Sequence, residues 1–288
     1  MGFSAADICA NRGIRESDSM TDHRKSIFIT GGASGLGREV ARFFAGKGWF
    51  IGIADVNDAG TAETAAMLPI GQSSTHHLDV TDRDQWIRTL ADFVTHTGGT
   101  VDVLFNNAGV GSGGPIQDMT DADIDRQIAI NFTGVVSGIR AVFPYLRRGS
   151  CVLNTSSAAG IYGVGGLSVY SATKFAVRGL TESHDIEWAP LGIKSRSLMP
   201  GFIDTNIISA VAGGSNMTGK ERLEAAGIPV SPVEIIGPAA WAAVHGNKVH
   251  TTVNKMAKQL AFAARWFPGR LRNQSTGLIE GLDTIVSS

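Results

Sequence analysis

The sequence predicts an α/β fold: a doubly wound parallel sheet flanked by helices, in a single domain. Three observations carry this. Short apolar, β-branched runs alternate with segments whose apolar residues recur at helical spacing. The 36 glycines cluster at the turns after these runs rather than in a repeat. The first run, Ser26 to Ile29, passes through Thr-Gly-Gly-Ala-Ser-Gly-Leu-Gly (30–37) straight into a helical pattern from Arg38. Repeated strand–helix units with short connections build a parallel sheet with helices on both faces.

Taken in order, the second strand is Phe50 to Asp55, followed by a short helix over Thr61 to Leu68. The third strand is Ser74 to Asp79, and Asp82 to Thr95 is a helix with Asp82 and Asp84 near its N-terminus. Val101 to Phe105 is the fourth strand and runs into Asn106-Asn107-Ala108-Gly109. A long helical pattern covers Asp121 to Leu146, and Ser150 to Thr155 is the fifth strand. Ser168 to Trp188 is a helix stopped by Pro190 and Gly192, and Ile193 to Leu198 is the sixth strand, closed by Pro200-Gly201. The stretch from Thr205 to Val230 lacks a clear period, and at that length it reads as a functional lid. Ser231-Pro232 looks like a cap and first turn. Pro238 falls inside the same pattern, so that helix restarts or kinks there. Val249 to Val253 is a last strand, and a helical segment occupies about 254–272. Residues 1–19 form a loose extension, and 20–288 a single domain.

With 43% hydrophobic and 18% charged residues and a net charge of −1, the chain is ordinary globular material without the basic excess of a general nucleic-acid binder. No uninterrupted apolar run reaches the ~18 residues of a membrane span, and a cytoplasmic location is expected. Cys9 and Cys151 lie far apart, and Cys151 reads as a small buried hydrophobe. His76, His77, His245 and His250 sit in different elements without ligand spacing, so no metal site is expected.

The chemistry starts at the glycine turn. Glycine lets an anion approach the main chain, and the following helix aims its free N–H groups and positive dipole end there, so a pyrophosphate is the natural occupant. No Gly-Lys-Ser/Thr follows, which sets aside a P-loop. Asp55 ends the second strand about twenty residues downstream, where an acid accepts ribose hydroxyls and repels a 2′-phosphate. The residue before Gly35 is Ser34 rather than a cation, so NAD is favoured over NADP. Asp79-Val80 can edge an adenine, and Asn106 to Gly109 allows close backbone approach. Tyr170 and Lys174, at i and i+4 on one helix, share a face. An ammonium beside a phenol favours the phenolate, and lowering a tyrosine from about 10 by about three units takes roughly 4 kcal/mol. Ser156-Ser157 ends the fifth strand, where a hydroxyl can support a carbonyl oxygen gaining charge.

These pieces, in this order, resemble the classical short-chain dehydrogenase/reductase (SDR) family, whose fold is Rossmann-like. The matching residues are Thr30, Gly31, Gly35, Gly37, Asp55, Asp79-Val80, Asn106 to Gly109, Asn131, Ser157, Tyr170, Lys174, Pro200-Gly201 and Thr205, over residues ~25 to ~205. The resemblance implies Tyr170 as acid/base, Ser157 as its hydroxyl partner thirteen residues upstream, Lys174 on the nicotinamide ribose and Asn131 holding a relay water. It implies cofactor contacts from Gly31, Ser34, Gly35, Leu36, Gly37, Asp55, Asp79, Val80, Asn107, Ala108, Gly109, Tyr170, Lys174, Pro200, Gly201, Ile203 and Thr205. It also implies a homotetramer or homodimer built partly on the helices around Asn131 and Tyr170.

Ile207, Ile208, Val211, Met217 and Leu223 in the lid, with Val164 to Leu167 and Val110 to Pro115, are expected to line an apolar pocket. The expected reaction is NAD-dependent interconversion of a hydrophobic secondary alcohol and ketone. Two alternatives use the same scaffold: a non-catalytic dinucleotide sensor or scaffold protein, and an NAD-using dehydratase or epimerase. The 254–272 segment, with Lys258, Arg265, Arg270 and Arg272 beside Leu260, Phe262, Trp266 and Phe267, reads either as a helix over the pocket or a neighbouring subunit, or as an amphipathic surface helix. The first is the expectation, with no membrane partner.

Overall fold

The computed structural model describes residues 24–205, 219–225 and 227–272. Its centre is one seven-stranded sheet of order β3-β2-β1-β4-β5-β6-β7, formed by β1 (Ser26–Thr30), β2 (Phe50–Asp55), β3 (Ser73–His77), β4 (Val103–Asn106), β5 (Cys151–Thr155), β6 (Lys194–Met199) and β7 (His250–Thr252). Every pairing is parallel. The order reverses between β1 and β4, and in open α/β sheets that switch point is where a crevice forms beyond the strand carboxyl ends.

Alternation along the buried strands splits the core in two. Phe28 and Leu104 face one layer with Trp86, Leu90, Phe93, Val135, Ile139 and Val177. That layer is covered by α3 (Arg83–Phe93), α5 (Gly134–Val142) and α6 (Ser168–Trp188). Ile27, Ile29, Ile51 and Phe105 face the other, with Val40, Phe44, Ala240 and Ala243 from α1 (Gly35–Ala45) and α8 (Ile236–His245). The remaining helices are α2 (Asp58–Ala66), α4 (Asp121–Ile128), α7 (Gly219–Ala225) and α9 (Lys255–Trp266).

Three sequence expectations change. Helix α2 starts at Asp58 rather than Thr61, because Asn57 caps it by accepting the Gly60 N–H at 3.0 Å. Strand β3 ends at His77, and Asp79 instead accepts the N–H and hydroxyl of Thr81 in a turn. The continuous helix expected over 121–146 is α4, a π-turn over Ala129–Thr133, α5 and a 3₁₀ turn at Phe143–Tyr145. By length and composition that whole run could cross a membrane; here Val135, Ile139 and Val142 pack it onto the sheet. The pattern around Pro238 does restart: a 3₁₀ turn at Val233–Ile235 precedes α8, which leaves Pro238 in the first turn, where its missing N–H costs nothing. Within the expected lid the structure contains α7. Ile207, Ile208, Val211 and Met217 lie outside the described residues, as do residues 1–19 and Cys9.

Candidate active site

The glycine turn has the shape its composition asks for. Gly31 and Gly35 take positive φ, +66° and +51°. A Cβ on Gly37 would lie 2.1 Å from the Gly31 carbonyl oxygen, so α1 meets the turn at a distance only glycine permits. Ser34, the residue before α1, makes no side-chain hydrogen bond to the helix. The first-turn amides are therefore left without a side-chain cap. Beside them a cleft opens between Gly35, Met67, Asp204, Thr205 and Val233. Leu36 packs with the α1 layer of the core.

Asp55 stands at the carboxyl end of β2. One carboxylate oxygen accepts the Ala33 N–H and the other the Asn57 N–H, both at 3.1 Å. This fixes the carboxylate against the turn with lone pairs to spare. The Arg38 guanidinium reaches the Ala33 carbonyl and pairs with Glu63 at 2.9 Å, so its charge is engaged elsewhere. Uncapped amides, a fixed carboxylate and a glycine-shaped entry suit a dinucleotide.

Asn107 ties β4 to the turn. Its amide donates to the Thr30 carbonyl at 3.0 Å, and its oxygen accepts from the Thr155 hydroxyl at 3.3 Å. The Thr30 hydroxyl accepts the N–H groups of Asn107 and Ala108. Asn131 sits in the π-turn with no exposed surface. It accepts the Val110 N–H and donates to the Val110 carbonyl, both at 2.8 Å. That two-way clamp holds the loop after Gly109. The inserted residue of a π-turn re-aims a side chain, and here it turns a poor helix former inward. A Cβ on Gly109 would stand 3.3 Å from the Asn131 oxygen and 3.6 Å from Lys174 Nζ, so these two groups share one corner.

Tyr170 and Lys174 both face that corner from α6. Lys174 is buried, and its ammonium donates to the Thr155 carbonyl at 3.0 Å. Burial lowers it from the usual lysine value to about 8. Ser157 accepts the Ala159 N–H at 3.1 Å, which pins its hydroxyl on the side of the Tyr170 phenol. Burial pushes the phenol upward and the Ser157 contact pulls it partly back. The phenol is thus held protonated, opposite in direction to the depression expected from Lys174. Ser156 points elsewhere and donates to the Lys174 carbonyl at 2.9 Å.

The Pro200 carbonyl accepts the Ala158 N–H at 2.7 Å, which joins the β6 exit to the Ser157 turn. Ile203 is buried and bridges to Ser231. Thr205 stands with its methyl 3.4 Å from where a Gly35 Cβ would be. Val80 is buried against Gly134, and its carbonyl accepts the Trp86 indole N–H at 3.0 Å. Sequence reasoning did not single out the Thr155 and Val110 backbone groups, which leave no residue-type signal. Cys151 is buried, with its thiol pushed up to about 12, and is chemically quiet.

Residues 25–214 match the family model for short chain dehydrogenases. The 3-alpha-(or 20-beta)-hydroxysteroid dehydrogenase of Mycobacterium tuberculosis is 39% identical over 184 residues, 63% of this chain and 70% of its own. An uncharacterized oxidoreductase of Bacillus subtilis, YxbG, is 33% identical over 217 residues, 74% of this chain and 79% of its own. The crystal structure of levodione reductase superposes with a TM-score of 0.74 at 28% identity, covering 82% of this chain and 98% of that one.

Proposed function

The chain belongs to the short-chain dehydrogenase/reductase family of oxidoreductases, and from that premise we propose that it interconverts a hydrophobic secondary alcohol and its ketone, with NAD preferred over NADP. The observation that carries this reading is the meeting of the Tyr170 phenol, the Ser157 hydroxyl and the Lys174 ammonium beyond the carboxyl end of β5. A relative named for hydroxysteroids fits an apolar alcohol.

Bound nicotinamide supplies the hydride donor or acceptor. The Gly31–Gly37 turn would hold its pyrophosphate, Asp55 the adenosine ribose, and Lys174 the nicotinamide ribose. In ketone reduction the substrate oxygen sits between Tyr170 and Ser157. Tyr170 gives its proton to that oxygen as charge develops, and Ser157 donates a hydrogen bond to it. A phenol held protonated is already the acid this direction needs. Alcohol oxidation runs the proton the other way and needs the phenolate, which the nearby ammonium stabilises. Asn131 positions the loop facing this corner through Val110.

Exposed Ile128, Phe175 and Ile186 on α4 and α6 support a homodimer or homotetramer through those helices. A free buried thiol at Cys151 accords with a cytoplasmic location.

The test is NADH formation from a panel of apolar secondary alcohols, with Tyr170→Phe as control. Removal of the acid/base should cost about 10²- to 10⁴-fold in kcat. Full turnover in Tyr170→Phe would sink the acid/base role. Binding of NAD without turnover on any alcohol or ketone would favour the sensor, and substrate conversion without net NADH the dehydratase or epimerase.

A further inference from the structure

Helix α9 carries its two aromatic side chains on the outside. Its buried residue is Ala257, and Ala261 and Ala264 are half-buried on the same side. The outward positions, at helical spacing, are Lys255, Lys258, Phe262, Arg265 and Trp266. Phe262 and Trp266 are each 61% exposed, and Phe267 just beyond is 46% exposed. Surface helices ordinarily turn such residues toward the core.

Charge on this segment is of one sign. Residues 255–272 contain Lys255, Lys258, Arg265, Arg270 and Arg272 and no carboxylate, in a chain of net charge −1. Among the described residues no acid pairs with Lys255, Lys258, Arg265 or Arg270. Arginines lie beside the aromatics instead: Arg265 is 5.6 Å from the Trp266 ring centre and Arg270 is 5.5 Å from that of Phe267.

We propose that the outward face of α9 and the turn after it dock on an anionic lipid surface. Outward Trp and Phe match the headgroup level of a bilayer, and cations beside them match lipid phosphates. An anionic leaflet satisfies Lys255, Lys258, Arg265 and Arg270, with which no acid pairs among the described residues. The other end of the helix fixes where the site would face. Asn254 caps α9 by accepting the Ala257 N–H at 3.0 Å and donates to Ser231 at 3.1 Å. The Met256 methyl packs where a Gly201 Cβ would stand. Docking through α9 thus brings the bilayer to the side of the fold that carries Ser231 and Gly201. The docking goes beyond the proposed reaction and does not depend on it.

The experiment is co-sedimentation of the full-length protein with vesicles of phosphatidylcholine, alone and with added phosphatidylglycerol. The protein should pellet with the anionic vesicles and release as salt is raised. Lys258→Gln and Arg265→Gln should each weaken binding about fivefold. Phe262→Ser with Trp266→Ser should abolish it, and brominated lipid should quench wild-type emission but not that of Trp266→Phe. Turnover of a water-soluble alcohol should be unchanged in each of these variants, the double one included, which separates loss of docking from loss of fold or reaction. No pelleting with anionic vesicles at low salt overturns the proposal, as does equal pelleting with pure phosphatidylcholine. Equal affinity for a single-stranded oligonucleotide would make the strip a general anion site. A shift in oligomeric state in Phe262→Ser, with vesicle binding intact, would assign the face to a second copy, through its exposed acidic stretch at Asp118 to Asp125. Either result overturns it too.

Discussion

Lys174 Nζ lies 5.5 Å from the ring centre of Tyr170 while it donates to the Thr155 carbonyl. The two side chains that the helical spacing places on one face are therefore neighbours, with the ammonium buried and, among the described residues, paired with no carboxylate. Burial is the whole cause of its low value, about 8. That ties stability to function at a single side chain.

Lys174→Met should be more stable than the wild type at pH 7 and inactive. The folded state binds fewer protons here than the unfolded chain between about 8 and 10.5. Stability thus rises with pH across that window, and below it the penalty is fully present. The shift corresponds to about 3 kcal/mol, from which losing the hydrogen bond to Thr155 subtracts about 1 kcal/mol. Thermal melts should show a gain at pH 7 that fades above pH 10. A variant less stable than wild type at both pH values would show that burial does not penalise this ammonium.

Cofactor choice should follow Asp55. Its carboxylate is fixed by two amides at 3.1 Å and faces the turn without a paired cation. A unit charge about 4 Å away is disfavoured by roughly 1 to 4 kcal/mol, depending on local dielectric. NAD should bind at least tenfold tighter than NADP in fluorescence titrations. Asp55→Asn retains an acceptor and drops the charge, so it should narrow the gap mainly by improving NADP. Wild-type preference for NADP would contradict the assignment.

Gly37→Ala should damage the fold as well as cofactor binding. The added methyl would meet the Gly31 carbonyl at 2.1 Å and the Asn107 amide at 2.9 Å, and both are held by the turn itself. Overpacking of this kind costs about 3 kcal/mol, a drop of roughly 10 °C in Tm for a domain of this size. Gly179→Ala is the contrast: on α6, with nothing within 4 Å of the new methyl, it should raise Tm slightly. Equal Tm values for the two variants would refute the packing argument.

The centre of the sheet was legible because β1, β2, β4 and β5 are buried, largely apolar runs closed by turn residues, whereas the polar β3 and β7 carry a weaker signal. The candidate site was legible where residue type and spacing coincide, as at Tyr170 and Lys174. The π-turn at Asn131 was not, since one extra residue barely disturbs the apolar period on either side of it. Nor was the upward push on the Tyr170 phenol. Spacing says that the ammonium is near, but not that the phenol is buried, and burial is what pushes it up. The outward aromatics of α9 were visible as a pattern, yet which face they take depends on where Asn254 and Met256 anchor the helix.

Acid should weaken this fold through a histidine far from the site. His76 on β3 is buried against Phe28 and Phe93, with ring centres at 5.6 and 6.0 Å. It also contacts Ser74 at 2.8 Å and Asp92 at 3.2 Å. Burial lowers its value below 6.5 despite the pull of Asp92, and nearby His96 adds to the lowering. A lowered histidine stays neutral in the folded state while the unfolded chain takes up a proton, so stability is lost as pH falls from about 6.5. Melting temperature should therefore decline between pH 7 and 5. His250, lowered by burial beside Glu182, adds to the same slope. His76→Phe preserves the aromatic packing and removes the titration, so its decline should be shallower than that of the wild type. Parallel curves for the two proteins would mean that carboxylates elsewhere, rather than this imidazole, set the acid limit.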